Sequence, residues 1–100
     1  MWIDSYPNAS VTIEGRKVPC RELRIDLEPY HAGELIFRKF KKSVMLYHHD
    51  NSYPRGARYR VNRWTEKFNV REVMKEVLKR INYPYTEENL NEIETLYYKL

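Results

Sequence analysis

The feature that most constrains this chain is a change of hydrophobic period near Phe68: apolar residues alternate with polar ones before it and recur at helical spacing after it. In Leu23-Arg24-Ile25-Asp26-Leu27-Glu28, Leu23, Ile25 and Leu27 take one face and Arg24, Asp26 and Glu28 the other, which is the pattern of a half-buried antiparallel strand. From Val70 onward, Val70, Val73, Met74, Val77, Leu78 and Ile81 form one helical stripe. A chain that is strand-like first and helical last folds as α+β. The expectation is an antiparallel sheet of about four to five strands, followed by a C-terminal helical hairpin packed on one of its faces.

Within the strand-rich part, residues 1–66, Val11-Thr12-Ile13-Glu14 and Lys17-Val18 read as a hairpin turning at Gly15-Arg16, with Pro19 at a bulge or an edge. Pro29 ends the strand begun at Leu23, and Gly33 marks the turn into Leu35–Phe40. The runs Leu35–Phe40 and Ser43–His49 carry apolar residues on both faces. This predicts central strands covered by helices on one side and in part by a second subunit on the other, hence a homodimer. Asp50–Gly56 is dense in turn formers, and Ala57–Trp64 reads as a last strand with Tyr59 and Val61 inward and Arg58, Arg60, Asn62 and Trp64 on the other face. Two helices are predicted over 69–82 and 86–99. Asn69 caps the first, with Glu72 placed to complete a capping box, and Tyr83-Pro84-Tyr85 breaks it; Thr86 caps the second. Leu23, Ile25, Leu27, Val61, Val77 and Leu78 are expected in one shared core.

One hundred residues suit a single domain, 1–100, and are too few for two separate cores. One cysteine, Cys20, excludes an intramolecular disulfide and a Cys-based zinc site. No apolar run reaches the roughly 18 to 20 residues a membrane span needs, and Met1-Trp2-Ile3-Asp4-Ser5 lacks the look of a signal peptide. The sequence therefore predicts a cytoplasmic protein without a membrane partner.

Chemistry-bearing residues are sparse. His48-His49-Asp50 resembles a metal or acid–base cluster, but at the end of a strand the period of two sends His48 and His49 to opposite faces. His48 with Asp50, joined by His31, is the arrangement that remains, and nothing in the spacing requires it. Cys20 has no local histidine and reads as a buried or idle thiol. There is no phosphate loop, no Gly-x-Ser-x-Gly elbow and no paired carboxylates on a recognisable scaffold. No catalytic residue, metal ligand or cofactor is assigned, and the chain reads as a non-enzymatic binding protein.

Charge gives the functional lean. The net charge is +4, yet residues 1–37 hold four Lys/Arg against six Asp/Glu and residues 69–100 hold five against six. Residues 38–68 hold nine basic side chains (Arg38, Lys39, Lys41, Lys42, Arg55, Arg58, Arg60, Arg63, Lys67) against Asp50 and Glu66, interleaved with Phe40, Tyr47, Tyr53, Tyr59, Trp64 and Phe68. Cations that neutralise phosphates, set among rings that stack on bases, are the two ingredients of a nucleic-acid surface. The expected site is Arg58, Arg60 and Trp64 on one strand face, extended by Lys41, Lys42 and Arg55 in adjoining turns. The alternative is a protein-interaction module or homodimeric inhibitor of a host factor, using the two-faced strands.

In its density of Tyr, Ile, Leu and charge, as in Asn91-Glu92-Ile93-Glu94-Thr95-Leu96-Tyr97-Tyr98-Lys99-Leu100, the chain resembles the small orphan proteins of viruses infecting hyperthermophilic archaea. The resemblance is one of composition over the whole chain and transfers no functional residue. It implies an intracellular viral protein, a thermostable single domain, and a role on nucleic acid or against a host protein.

Overall fold

A computed structural model describes residues 1–30, 32–49, 58–64 and 68–100, with residues 58–62 described by backbone alone. Among these, five strands precede two helices: β1 (Trp2–Ile13), β2 (Arg16–Asp26), β3 (Glu34–Lys39), β4 (Val44–His49), β5 (Arg58–Trp64), α1 (Val70–Arg80) and α2 (Glu87–Lys99). The strands form one antiparallel sheet in the order β1-β2-β3-β4-β5. This is the α+β architecture that the change of period predicts.

The β1–β2 turn sits one residue earlier than expected. Glu14 and Gly15 are its central residues, both at positive φ (50° and 76°), as the primed two-residue turns that match strand twist require. β1 is also far longer than Val11–Glu14. It reaches back to Trp2 because a register irregularity between Tyr6 and Ala9 absorbs Pro7 and Asn8, and an edge strand tolerates a residue without an N–H. β2 pairs with β3 only from Arg21 to Asp26, so Ala9–Cys20 continues past β3 as a two-stranded arm. Pro19 lies in that arm.

Residues directly opposite in antiparallel strands share a face. Ile3, Ile25, Leu35 and His48 stand in one such row, and Leu23, Phe37 and Leu46 in another. Leu23, Ile25, Leu35, Phe37 and Leu46 are fully buried and form one cluster with Val70, Met74, Val77 and Leu78 of α1 and Leu90, Ile93 and Tyr97 of α2. Of the expected core, Leu23, Ile25, Leu27, Val77 and Leu78 are buried in that cluster; the Val61 side chain lies outside the described residues.

Local chemistry fixes the helix ends. The Asn69 side chain accepts from the Glu72 N–H at 3.0 Å. Thr86 and Asn89 exchange both capping-box bonds at the start of α2. α1 ends before Tyr83: Asn82 turns left-handed (φ 57°), with Asn82 N–H donating to Lys79 O and Tyr83 N–H to Leu78 O, a Schellman closure. Arg71 then joins the helices through Glu87 and Asn91.

Candidate functional site

The face opposite the hydrophobic cluster is built from the alternate strand residues. One row across the sheet runs Tyr6, Glu22, Arg38, Met45, Arg63; the next runs Asp4, Arg24, Ile36, Tyr47 and the position of Arg60; a third runs Trp2, Asp26, Glu34, His49 and the position of Arg58. The cluster residues of α1 and α2 pack with the other face. Ile36 is nevertheless fully buried, flanked in register by Arg24 and Tyr47 and surrounded by charge. The apolar residues of β3 that predicted a subunit contact are thus covered within the chain at this position.

Charge pairs organise the face. Glu22, with 8% of its side chain exposed, accepts from Arg24 Nε at 2.7 Å and from Arg38 Nε at 2.9 Å. Burial alone raises the Glu22 carboxyl, but the hydrogen bonds from Arg38 and Arg24 outweigh it and hold the group below its ordinary value. The same bond to Glu22 raises Arg24 further. Glu34 receives Arg24 at 3.8 Å and His49 Nδ1 at 3.3 Å. Each of these two arginines also covers a ring: Arg38 lies 4.9 Å from the Tyr47 centroid and Arg24 5.8 Å from that of Tyr6. Tyr47 Oη donates to Met45 Sδ at 3.2 Å. The product is a braced layer of guanidinium and phenol groups, bounded by acids on β1 and β2 and by arginine positions on β5.

The expected site residues are not all brought together. Trp64 stands opposite Val44 and packs against the hydrophobic cluster, its ring stacked on Phe68 at 4.3 Å and 17°. Arg60 and Arg58 stand opposite Tyr47 and His49. Val44 and Tyr47 are an odd number of residues apart on one strand, so Trp64 belongs to the face away from those two arginine positions. The cause is a register irregularity between Leu46 and Tyr47, where β5 carries one extra residue and its alternation reverses. Placing Trp64 in a solvent-facing surface with Arg58 and Arg60 is therefore corrected. The side chains of Arg58 and Arg60, and all of Arg55, lie outside the described residues. Lys41 and Lys42 are exposed in the β3–β4 turn, which Phe40 N–H closes on Ser43 O at 2.8 Å.

Sequence reasoning missed Tyr6, Glu22, Arg24, Arg38 and Arg63 as members of one face. Arg24 carries the alternation signal; Arg63 reaches this face only through the irregularity in β5, and the meeting of Glu22 with Arg38 depends on a β2–β3 register that no local pattern reveals. Other chemistry-bearing groups have structural partners. His48 Nε2 is 2.9 Å from Ala32 O, and no group of three His, Cys, Asp or Glu side chains gathers at one point among the described residues; His31 and Asp50 lie outside them. Cys20 is buried, and burial, then Glu22, raises its thiol against the opposing effect of Arg38. It lines a shallow cleft of about 260 Å³ with Pro7, Ala9, Phe40 and Lys41. On the cluster face, Arg21 Nη1 donates to Leu100 O at 2.6 Å and Lys39 Nζ lies 4.5 Å from the Tyr97 centroid, two cations set at the negative end of α2. No described helix is long and apolar enough to cross a membrane.

Comparison with known proteins finds no matching family model, no similar curated protein and no similar solved structure.

Proposed function

We propose that the polar sheet face binds single-stranded nucleic acid. The observation that carries this reading is the pair of arginine–tyrosine cation–π contacts, Arg38 over Tyr47 and Arg24 over Tyr6, lying in register with the arginine positions of β5. Unpaired bases stack on aromatic rings and on guanidinium planes alike, and a sheet face offers several such platforms at strand spacing. Arg63 and the Arg58 and Arg60 positions supply cations along one edge, and Lys41 and Lys42 extend them around the β3–β4 turn. Acids on β2 and β3 pair with Arg24 and Arg38, so those two supply stacking, and Lys41 and Lys42, exposed in the β3–β4 turn, with the Arg58 and Arg60 positions supply phosphate contacts. A duplex buries its bases and cannot use these platforms, which makes single strands the favoured class.

The test is fluorescence anisotropy with labelled single-stranded and duplex oligonucleotides across a salt series. Single strands are expected to bind more tightly, with each phosphate contact adding about 0.7 to the slope of log affinity on log salt. Replacing Arg58 and Arg60 together by Ala is expected to flatten that slope by about 1.4. Absence of binding to single-stranded DNA and RNA at low salt refutes the reading.

A further inference from the structure

The β1–β2 arm extends past the rest of the sheet. Beyond β3 it is a two-stranded ribbon, a structure of marginal stability by itself, and β1 is an edge strand whose outer side has no partner strand among the described residues. The arm is amphipathic. Ala9, Val11 and Ile13 share one side with Cys20, Val18 and Arg16, while Ser10 and Thr12 share the other with Pro19 and Lys17. Ile13 is 42% exposed. Natural sheets blunt such edges with charge, proline or a bulge, and the first half of β1 has all three in Asp4, Pro7 and the irregularity after Tyr6. Ala9–Ile13 has none of them.

We propose that this segment pairs with itself: Ala9–Ile13 of one chain lies antiparallel against Ala9–Ile13 of a second copy, about a two-fold axis through Val11. The sequence is self-complementary in that register. Val11 meets the partner's Val11 and Ala9 meets the partner's Ile13 on one side, while Ser10 meets the partner's Thr12 on the other, so every cross-strand pair joins like with like in polarity. A register centred on the first half of β1 sets Asp4 against the partner's Asp4, which like-charge repulsion disfavours, and meets Pro7, which has no N–H to give. A two-fold axis normal to the sheet leaves both polar faces on the same side, so the dimer joins two five-stranded sheets into one continuous surface. The proposal stands independently of what that surface binds.

Sedimentation of the full chain is expected to show a dimer at about 200 µM, where a complex of micromolar affinity is nearly fully formed. Register is read by disulfide trapping in a Cys20→Ser background. Directly opposed residues have Cα atoms about 4.5 to 5.5 Å apart, within reach of a disulfide. Val11→Cys is therefore expected to cross-link on oxidation, whereas Ser10→Cys and Thr12→Cys, offset to diagonal positions, are not. A second pair of variants keeps exposed positions and needs no oxidation. The doubles Ser10→Lys/Thr12→Lys and Ser10→Glu/Thr12→Glu are each expected to be monomeric alone and to form a mixed dimer when combined. A wild-type monomer at that concentration overturns the proposal, as does cross-linking through Ser10→Cys or Thr12→Cys in preference to Val11→Cys. Undiminished dimerisation of either charged double overturns it as well.

Discussion

Glu22 is the carboxylate on which the polar face depends, and its replacement by Gln isolates its charge from its shape. Gln offers one acceptor oxygen where Glu22 uses both, Oε2 for Arg24 and Oε1 for Arg38. Arg38, 13% exposed, is the guanidinium less able to recover water and takes the remaining oxygen, while Arg24 at 36% partly rehydrates. One charge-assisted hydrogen bond to a charged partner contributes about 1.5–3 kcal/mol, and rehydration of Arg24 returns part of it. Glu22→Gln is therefore expected to destabilise by about 1–2 kcal/mol at pH 7, and Glu22→Ala, which strands both guanidiniums, by about 3–5 kcal/mol. The pH dependence follows from the sign of the shift. A carboxyl held below its unfolded value of 4.5 contributes stability that is present above pH 4.5 and is lost as the pH falls through the folded value. The gap between wild type and Glu22→Gln should be full at neutral pH and narrow below pH 4.5. Urea denaturation midpoints along a pH series measure it. A variant as stable as wild type at pH 7, or a gap that does not change with acid, refutes the role given to Glu22.

Three further outcomes are expected. Alanine at Ile25 or Leu78, both fully buried in the shared cluster, should cost about 2–5 kcal/mol in chemical denaturation; near-wild-type midpoints for both would contradict the core assignment. Trp64→Ala should lower thermal stability through loss of the Phe68 stack, and oligonucleotide affinity measured well below its melting temperature should hardly change; a large loss of affinity in a fully folded variant would return Trp64 to the binding surface. Tyr97, buried and pushed up to about 12 by burial and then by Tyr98, against the opposing effect of Arg21, should remain a neutral phenol above the ordinary value of 10.0. The stability this contributes is present below the ordinary value of 10.0 and lost as pH rises toward 12, and ultraviolet titration of Tyr97→Phe against wild type should show the missing late phase.

The legible parts of this fold are those set by local pattern. Leu23, Ile25 and Leu27 announce a strand through period two alone, and Val70 to Ile81 a helix through period 3.6, with Asn69 and Thr86 marking starts by cap chemistry. The first half of β1 was not legible, because Asp4, Ser5, Pro7 and Asn8 are turn formers and only an edge position with an irregularity makes a strand of them. The break after α1 lies at Asn82 rather than at Tyr83-Pro84-Tyr85 because Asn adopts the left-handed conformation that closes a helix. The site was legible in its composition and not in its arrangement. One extra residue in β5 reverses the face of Trp64 relative to Arg58 and Arg60, and such an irregularity leaves no mark in residue types. The Glu22 network needed the β2–β3 register, which is a tertiary fact.

The central claim is that the polar sheet face, and not the helices, receives nucleic acid. Backbone amide NMR of the uniformly labelled protein titrated with a short single-stranded oligonucleotide tests it directly. The account predicts shifts at Tyr6, Arg24, Arg38, Tyr47 and Arg63, with the amides of α1 and α2 unmoved; shifts confined to the helices, or none at low salt, would contradict it.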